Sequence, residues 1–498
     1  MKLSGPFFKA VTGIMTVLLS IVHAATEFPA IVSSSTGDIA GFLGESSSSV
    51  HAKLVFINSV TGGNGQLCYI DFSEDVETPV IHKIAAVPEA KVPVISPDGN
   101  WVVYATGEGG EAGRKVEARS SVYICRIAED AEPVLLHADS AAEPRFMQNV
   151  PEGVDTVIFS TLSPNFAWEG AGATMKTGVT YEGTTVTKHT PEVLWDKGSF
   201  TGGLSWDKQY LCGGGGTAAM LDRKGDGRPD TVTALGQACN VSVTSSRTNT
   251  DRIMYLTAGA KKDSFPEIKN GEAWKQWQLI FIGNYDKKIL RYYQFPEELE
   301  NVTDPGSFKS PAQSYCWHHP EWSNHPHYAV ATLNIARFFN IGTEDNPEYE
   351  NTTYQERIFI INLVDSAYIE VLRAAPEVIV YDPDNYNSGA GFYWPWLWVE
   401  VPDDFNEESI VEVRIPGREI RPVPSRCTLR GTSLTAAKPI VEIAVFDLSG
   451  RRLYASSSFP VNITKTEIPV FENVSANLLY LKVRFSDGTV EMKPIPGF

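Results

Sequence analysis

The 498-residue chain is poor in cysteine. It has six, at Cys68, Cys125, Cys212, Cys239, Cys316 and Cys427. No two have CxxC spacing, which argues against a zinc knuckle. Six in so long a chain are too few for a disulfide scaffold, so pairing in an oxidising compartment and free buried thiols are both open. Basic residues are short as well. Lys and Arg total 42 against 60 Asp and Glu, a formal charge of −18. Such a surface repels phosphate backbones, so no nucleic-acid partner is expected, whereas cations or basic partners are favoured. Beyond the N-terminus no run is long and apolar enough to cross a bilayer, so no transmembrane segment is expected. Helical periodicity is scarce. GxSxG, HExxH and Walker patterns are absent. "CGGGG", Cys212–Gly216, has no following helix to hold a phosphate and reads as a bend between strands.

What is present begins with an export signal. Lys2 and Lys9 precede an apolar run from Ala10 to Val22, and Val22 and Ala24 are small enough for a cleavage site. Residues 1–24 read as a secretory signal peptide, which places the mature chain in the periplasm, at the cell surface or outside the cell. Losing both lysines takes the −18 to about −20. N-x-S/T sites at Asn240, Asn301 and Asn351 matter only in a eukaryotic secretory route.

The body of the chain repeats one grammar: a short strand, a polar turn, then an apolar run. "VPVISPDGNWVVYAT" from Val92 shows it best. Related stretches start at Glu143, Thr201, Cys239 and His318, and "KLVFINS" at Lys53 is a copy without its leading strand. Further strands follow each copy. Four short strands per unit, repeated about six times, predict a six-bladed β-propeller over residues 25–400, with seven blades as the alternative. Unbroken runs such as "WVVYA" and "YAVAT" suit strands buried on both faces between blades. "GFYWPWLWVEV", Gly391–Val401, is the candidate to supply the missing first strand, and the segment after the signal can add another. The Ser96-Pro97-Asp98-Gly99 turn resembles the TolB-type propeller repeat. That resemblance implies a fold more than an activity.

Residues 401–427 are mixed in charge and proline-rich, and read as a linker. Residues 428–498 predict a small β-sandwich, with a hairpin tip at Asp487–Gly488. "VFDLSGRRLY", "LYLKVRFSDG" and Lys493 resemble the C-terminal sorting domains of exported bacterial proteins, especially the type IX kind. The resemblance implies secretion machinery as a partner.

Four candidate sites stand out. Residues just before the inner strands should gather at the top of the central channel: Lys91, Glu143, Arg145, Thr201, Asn240, His318 and His319. The long connections also fall there, with Trp274, Trp277, Phe338 and Phe339 on or near them, poised to stack on a sugar or peptide or simply to pack the loops. His325 and His327 share one face of an extended chain, as a weak metal pair or as part of a capped turn. Seven extended residues span about 23 Å, so the two histidine pairs should lie at opposite ends of the channel and share no ion. Asp222, Asp226 and Asp230 resemble the calcium loops of integrin-type propellers, but Lys224 stands where a ligand is needed, so a metal-free hairpin turn is the competing reading.

The sequence thus predicts an exported, non-catalytic propeller that binds a polysaccharide or protein at its top face. It requires no cofactor, with Ca²⁺ or another divalent metal as the only one suggested. One alternative is a divalent-metal polysaccharide lyase of the oligogalacturonate type. There His318 and His319 would be ligands, Asn240 or Glu143 would help, and Lys91 or Arg145 would neutralise a uronate. The other is a purely structural cell-surface subunit.

Overall fold

The computed structural model describes residues 28–44, 50–60, 65–106, 120–138, 141–150, 153–162, 172–195, 201–213, 216–223, 229–257, 279–286, 289–293, 312–340, 349–375, 390–402, 405, 407, 427–430, 433–436, 440–446, 452–456, 465–467, 478–485 and 490–496. The N-terminal 27 residues, the Asp226 loop, Trp274 and Trp277 lie outside them. Two compact units result: Met1–Thr36 with Val50–Ile415, and Gly37–Ser49 with Pro416–Phe498. Among the described residues the one helix is Thr36–Leu43, and nearly everything else is antiparallel strand. No helix among them is long and apolar enough to cross a membrane.

The larger unit is a β-propeller. Its first blade runs Gly391–Val399, Ala52–Ser59, Gln66–Asp71, His82–Lys83, so the late aromatic strand does pair with the first blade. The second is Ala90–Ile95, Trp101–Thr106, Ser121–Arg126, Val134–His137. The third is built on Ala141–Phe146, Asp155–Leu162 and Gly172–Glu182. The last runs Ala312–Trp322, Tyr328–Asn340, Tyr349–Asn362, Tyr368–Ala374, with Ala30–Val32 added outside.

The expected count of six or seven blades is corrected to five. The copies at Thr201 and Cys239 are not separate blades. They form one seven-stranded sheet from Thr201–Leu204 to Ile289–Tyr293. The cause is the 15-residue strand Pro229–Val243. Its first part pairs with Gly216–Arg223, and from Ala238 it pairs with Arg252–Thr257, so one strand ends one unit and begins the next.

Burial follows the sequence pattern. Val102, Val103, Ala329, Val330, Ala331 and Leu333 are fully buried, as strands packed on both faces must be. Blades contact each other through rings such as Trp101 on Tyr181, stacked 4.6 Å apart. The same turn closes several inner strands. Ser96 Oγ accepts from the Trp101 amide and Ser205 Oγ from the Tyr210 amide, each at 2.9 Å. Both hydroxyls donate onward, to Asp98 and Asp207.

The smaller unit holds two sheets. One orders Cys427–Arg430, Ser433–Ala436, Lys465–Glu467; the other orders Arg452–Ser456, Ile440–Phe446, Leu478–Phe485, Val490–Pro496. Leu478–Phe485 and Val490–Pro496 pair as the expected hairpin.

Candidate functional site

The ring has six inner-edge stretches, because the seven-stranded sheet contributes two. Each breaks register at the same place. The interruptions fall between Lys91 and Val94, Ala142 and Arg145, Thr201 and Gly203, Cys239 and Ser242, His318 and Glu321, and Tyr393 and Trp396. A left-handed residue marks each bulge: Val92, Glu143, Asn240, His319 and Trp394 within it and Gly203 at its end, with φ between 44° and 111°. Four of these precede proline, in Val92-Pro93, Glu143-Pro144, His319-Pro320 and Trp394-Pro395. Proline lacks the amide that a ladder would need, so it fits the unpaired position of a bulge. Left-handed conformations cost non-glycine residues energy, and five such residues at one level of a ring are an organised feature.

The first residue to pair again after each bulge is Val94, Arg145, Gly203, Ser242, Glu321 or Trp396. These stand at one level, and several meet. Arg145 Nη2 donates to Glu321 Oε1 at 2.6 Å, with side chains only 4% and 5% exposed. The Arg145 guanidinium lies 5.3 Å over the Trp396 ring. Ser242 Oγ accepts from the Trp322 amide at 2.9 Å and hydrogen-bonds the Glu321 carboxyl. Burial pushes Glu321 up, and Arg145 opposes it. One bulge earlier, burial pushes Glu143 up to about 7; Arg145 pulls it down, Glu321 raises it and Lys91 lowers it.

Beside this pair the His318 and His319 Nδ1 atoms are 2.9 Å apart, so one ring donates and the other accepts. His319 also packs 3.8 Å from the Trp394 ring and 5.4 Å from Tyr393. Burial holds His318 down at about 4, and burial plus His318 hold His319 well below its usual value. Both are neutral at pH 7.

The predicted top-face residues are therefore placed within the inner strands. Arg145 and His319 are buried, while Lys91, Glu143, Asn240 and His318 are half-buried. Thr201 opens its inner strand, with its side chain outside the described residues, as are those of Phe338 and Phe339. Asp222 pairs with Thr231 between neighbouring antiparallel strands; Asp226 lies outside the described residues, and the side chains of Asp222 and Asp230 are not described. His325 and His327 lie in the turn after Ala312–Trp322. His325 Nδ1 accepts from the His327 amide at 3.2 Å, and both rings rest on Phe405 at 4.6 and 5.2 Å. Burial, then His327, push His325 down to about 3. No set of three His, Cys, Asp or Glu among the described residues is placed to hold a metal ion.

One feature escaped the sequence reading. The turns that end the inner strands enclose a cavity of about 340 Å³, lined among others by Pro97, Gln148, Trp206, Ser245, Asn324 and Trp398. It sits at the channel end where the inner strands finish, opposite the predicted top face. Phe405 and Glu407, from the expected linker, also line it. Glu407 takes the Arg247 amide at 2.7 Å and the Ser246 hydroxyl, tying this segment to the turn. The available signal was positional: "SWD", "TSS" and "SNH" occupy the same turn position as "SPD".

No family model matches the chain, and no curated protein matches it. Among solved structures it is similar to a luciferin-regenerating enzyme at 10% identity and a TM-score of 0.27, covering 43% of this chain and 69% of that one. It is also similar to a chain of a mitotic checkpoint complex at 8% identity and a TM-score of 0.29, covering 63% and 84%. Likenesses this distant carry no functional argument.

Proposed function

We propose that this chain is an exported, non-catalytic propeller that binds a polysaccharide or a protein, with its C-terminal sheets forming a small sandwich for sorting or surface attachment. The TolB-type turn at Ser96–Gly99 and the resemblance of Val445–Tyr454 to sorting domains support the two halves of this reading. The observation that carries the binding role is the Arg145–Glu321 pair at 2.6 Å. The lyase alternative needs Lys91 or Arg145 directed at a uronate and His318 and His319 directed at a metal. Here the guanidinium is committed to Glu321, and the two imidazoles face each other. A ligand therefore meets the mouths of the channel. Lys91, Thr201, Asn240, Trp274 and Trp277 are the proposed top-face contacts.

Metal analysis and array binding of the purified protein test the reading. The expected outcome is no stoichiometric metal, and retention on a glycan or peptide array. Bound divalent metal that disappears in His318→Ala, together with release of unsaturated sugars from a uronan, refutes it. Absence of any retained ligand favours a structural subunit instead.

A further inference from the structure

The cavity at the far end of the channel has the chemistry of a site in its own right. Trp206 and Trp398 are half-buried and line it together with Phe405. Its volume of about 340 Å³ is at the small end of ligand pockets, which run from about 300 to 1,000 Å³. Deeper along the axis is a recess of about 20 Å³, lined by Arg145, Trp396 and Ser245 among others. Gln148 and Ser245 line both spaces, so the recess continues the cavity inward. It is large enough for one water molecule or one hydroxyl group.

The recess holds the second observation. Trp396 is 7% exposed and Ser245 6% exposed. The Trp396 Nε1 and Ser245 Oγ atoms are buried and have no hydrogen-bond partner among the described residues. Buried polar groups are costly to leave unmet, so these two await a partner.

Charge and donor arithmetic identify that partner. Asp98, Glu400 and Glu407 line the cavity against a single cation, Arg247, which lies 4.6 Å over the Trp206 ring. An anionic group such as a uronate is disfavoured there. A lysine or arginine tip brings only donors and leaves the Trp396 N–H unmet. A sugar hydroxyl accepts from the indole N–H and also donates to or accepts from Ser245, while the apolar face of the ring stacks on tryptophan.

We propose that this end of the channel binds one or two uncharged sugar rings, seated among Trp206, Trp398 and Phe405, with one hydroxyl reaching Trp396 Nε1 and Ser245 Oγ. The proposal rests on the reading of the chain as a binder, and it is independent of the top-face assignment. The test is calorimetry of the full chain with maltose, cellobiose and N-acetylchitobiose, using digalacturonate and trilysine as charged controls. At least one neutral disaccharide should bind. Trp206→Ala should weaken it at least tenfold. Trp396→Phe, which removes the N–H together with one ring of the indole, should weaken it about tenfold, and Ser245→Ala, which removes only the hydroxyl, should weaken it with an unchanged melting temperature. Val193→Ala, at an exposed position of an outer strand, should leave the affinity as it is. Binding of trilysine or digalacturonate in place of neutral sugars, or no binding by any of the three disaccharides, overturns the proposal. So does sugar binding that survives both Trp206→Ala and Trp396→Phe. Loss confined to Trp274→Ala overturns it while leaving the binding role and its top face standing.

Discussion

Removing one partner of the Arg145–Glu321 pair should cost far more than removing both. Both side chains are at most 5% exposed, so neither charge has water to fall back on. Breaking a buried pair typically costs about 3–5 kcal/mol, whereas replacing the whole pair with apolar groups of similar size is often neutral. The two single variants should also differ. In Glu321→Gln, Glu143 lies near Arg145, and loss of the Glu321 charge lets its pKa fall from about 7, so a carboxylate still offsets the guanidinium. In Arg145→Met, two buried carboxyls lose their main cation, and both are held further up. A raised folded pKa means that the native state binds the extra proton. Stability therefore rises as pH falls through the folded value near 7, and that gain is complete below the unfolded value of about 4.5. The Arg145→Met deficit should thus be greatest above pH 7 and shrink towards pH 5. Thermal unfolding of the single variants and of Arg145→Met/Glu321→Met, at pH 5 and pH 8, checks this. The expected loss for Arg145→Met at pH 8 is about 5–10 °C, with most of it recovered in the double variant. Equal, pH-independent losses below about 1 kcal/mol would mean that no closed pair exists at the axis.

Other expectations concern the scaffold. A Cβ at Gly202 would lie 2.5 Å from the Val241 carbonyl oxygen and 2.6 Å from Cys212 Sγ. Gly202→Ala should therefore destabilise by about 1–3 kcal/mol in denaturant titration, and adding Cys212→Ala should recover only part, because the carbonyl cannot retreat. Ser96→Ala, at a fully buried position, strips the Trp101 amide of its acceptor and Asp98 of a donor, and should cost about 1–3 kcal/mol in the same assay. His325 has a folded pKa of about 3, below its unfolded 6.5, so the unfolded state binds the extra proton between those values. Its contribution is complete above pH 6.5 and is lost as pH falls towards 3. The stability of His325→Gln should decline less steeply over that window, by up to about 1.4 kcal/mol per pH unit.

The strands were legible because burial on both faces leaves an unbroken apolar run, as in Val102–Tyr104 and Ala329–Val330. The Ser96–Gly99 turn was legible because its chemistry is local. The bulges were written in the sequence too, as Val92-Pro93, Glu143-Pro144, His319-Pro320 and Trp394-Pro395, but an X-Pro dipeptide is also what a strand boundary looks like. That ambiguity put the candidate residues before the inner strands, when they lie within them. Blade number was hidden for a different reason. Pro229–Val243 changes partners at Ala238, and hydrophobic pattern does not record which neighbour a strand pairs with. The meeting of Arg145 with Glu321, of Arg145 with Trp396 and of Glu321 with Ser242 depends on equal height in four inner strands, which only the register supplies. Trp206 and Trp398 passed unremarked because each looks like an ordinary turn aromatic until the ring brings them together.

The propeller is fastened by both ends of its chain. Gly391–Val399 completes the sheet begun at Ala52, and Ala30–Val32 lies along Tyr368–Ala374. Neither clasp can engage until the last blade has been synthesised. At ribosomal speeds of roughly 5–20 residues per second, the nascent polypeptide stays unfastened for tens of seconds. Such a delay leaves the circle open, and its first and last sheets without their closing strands, until synthesis of the ring is complete.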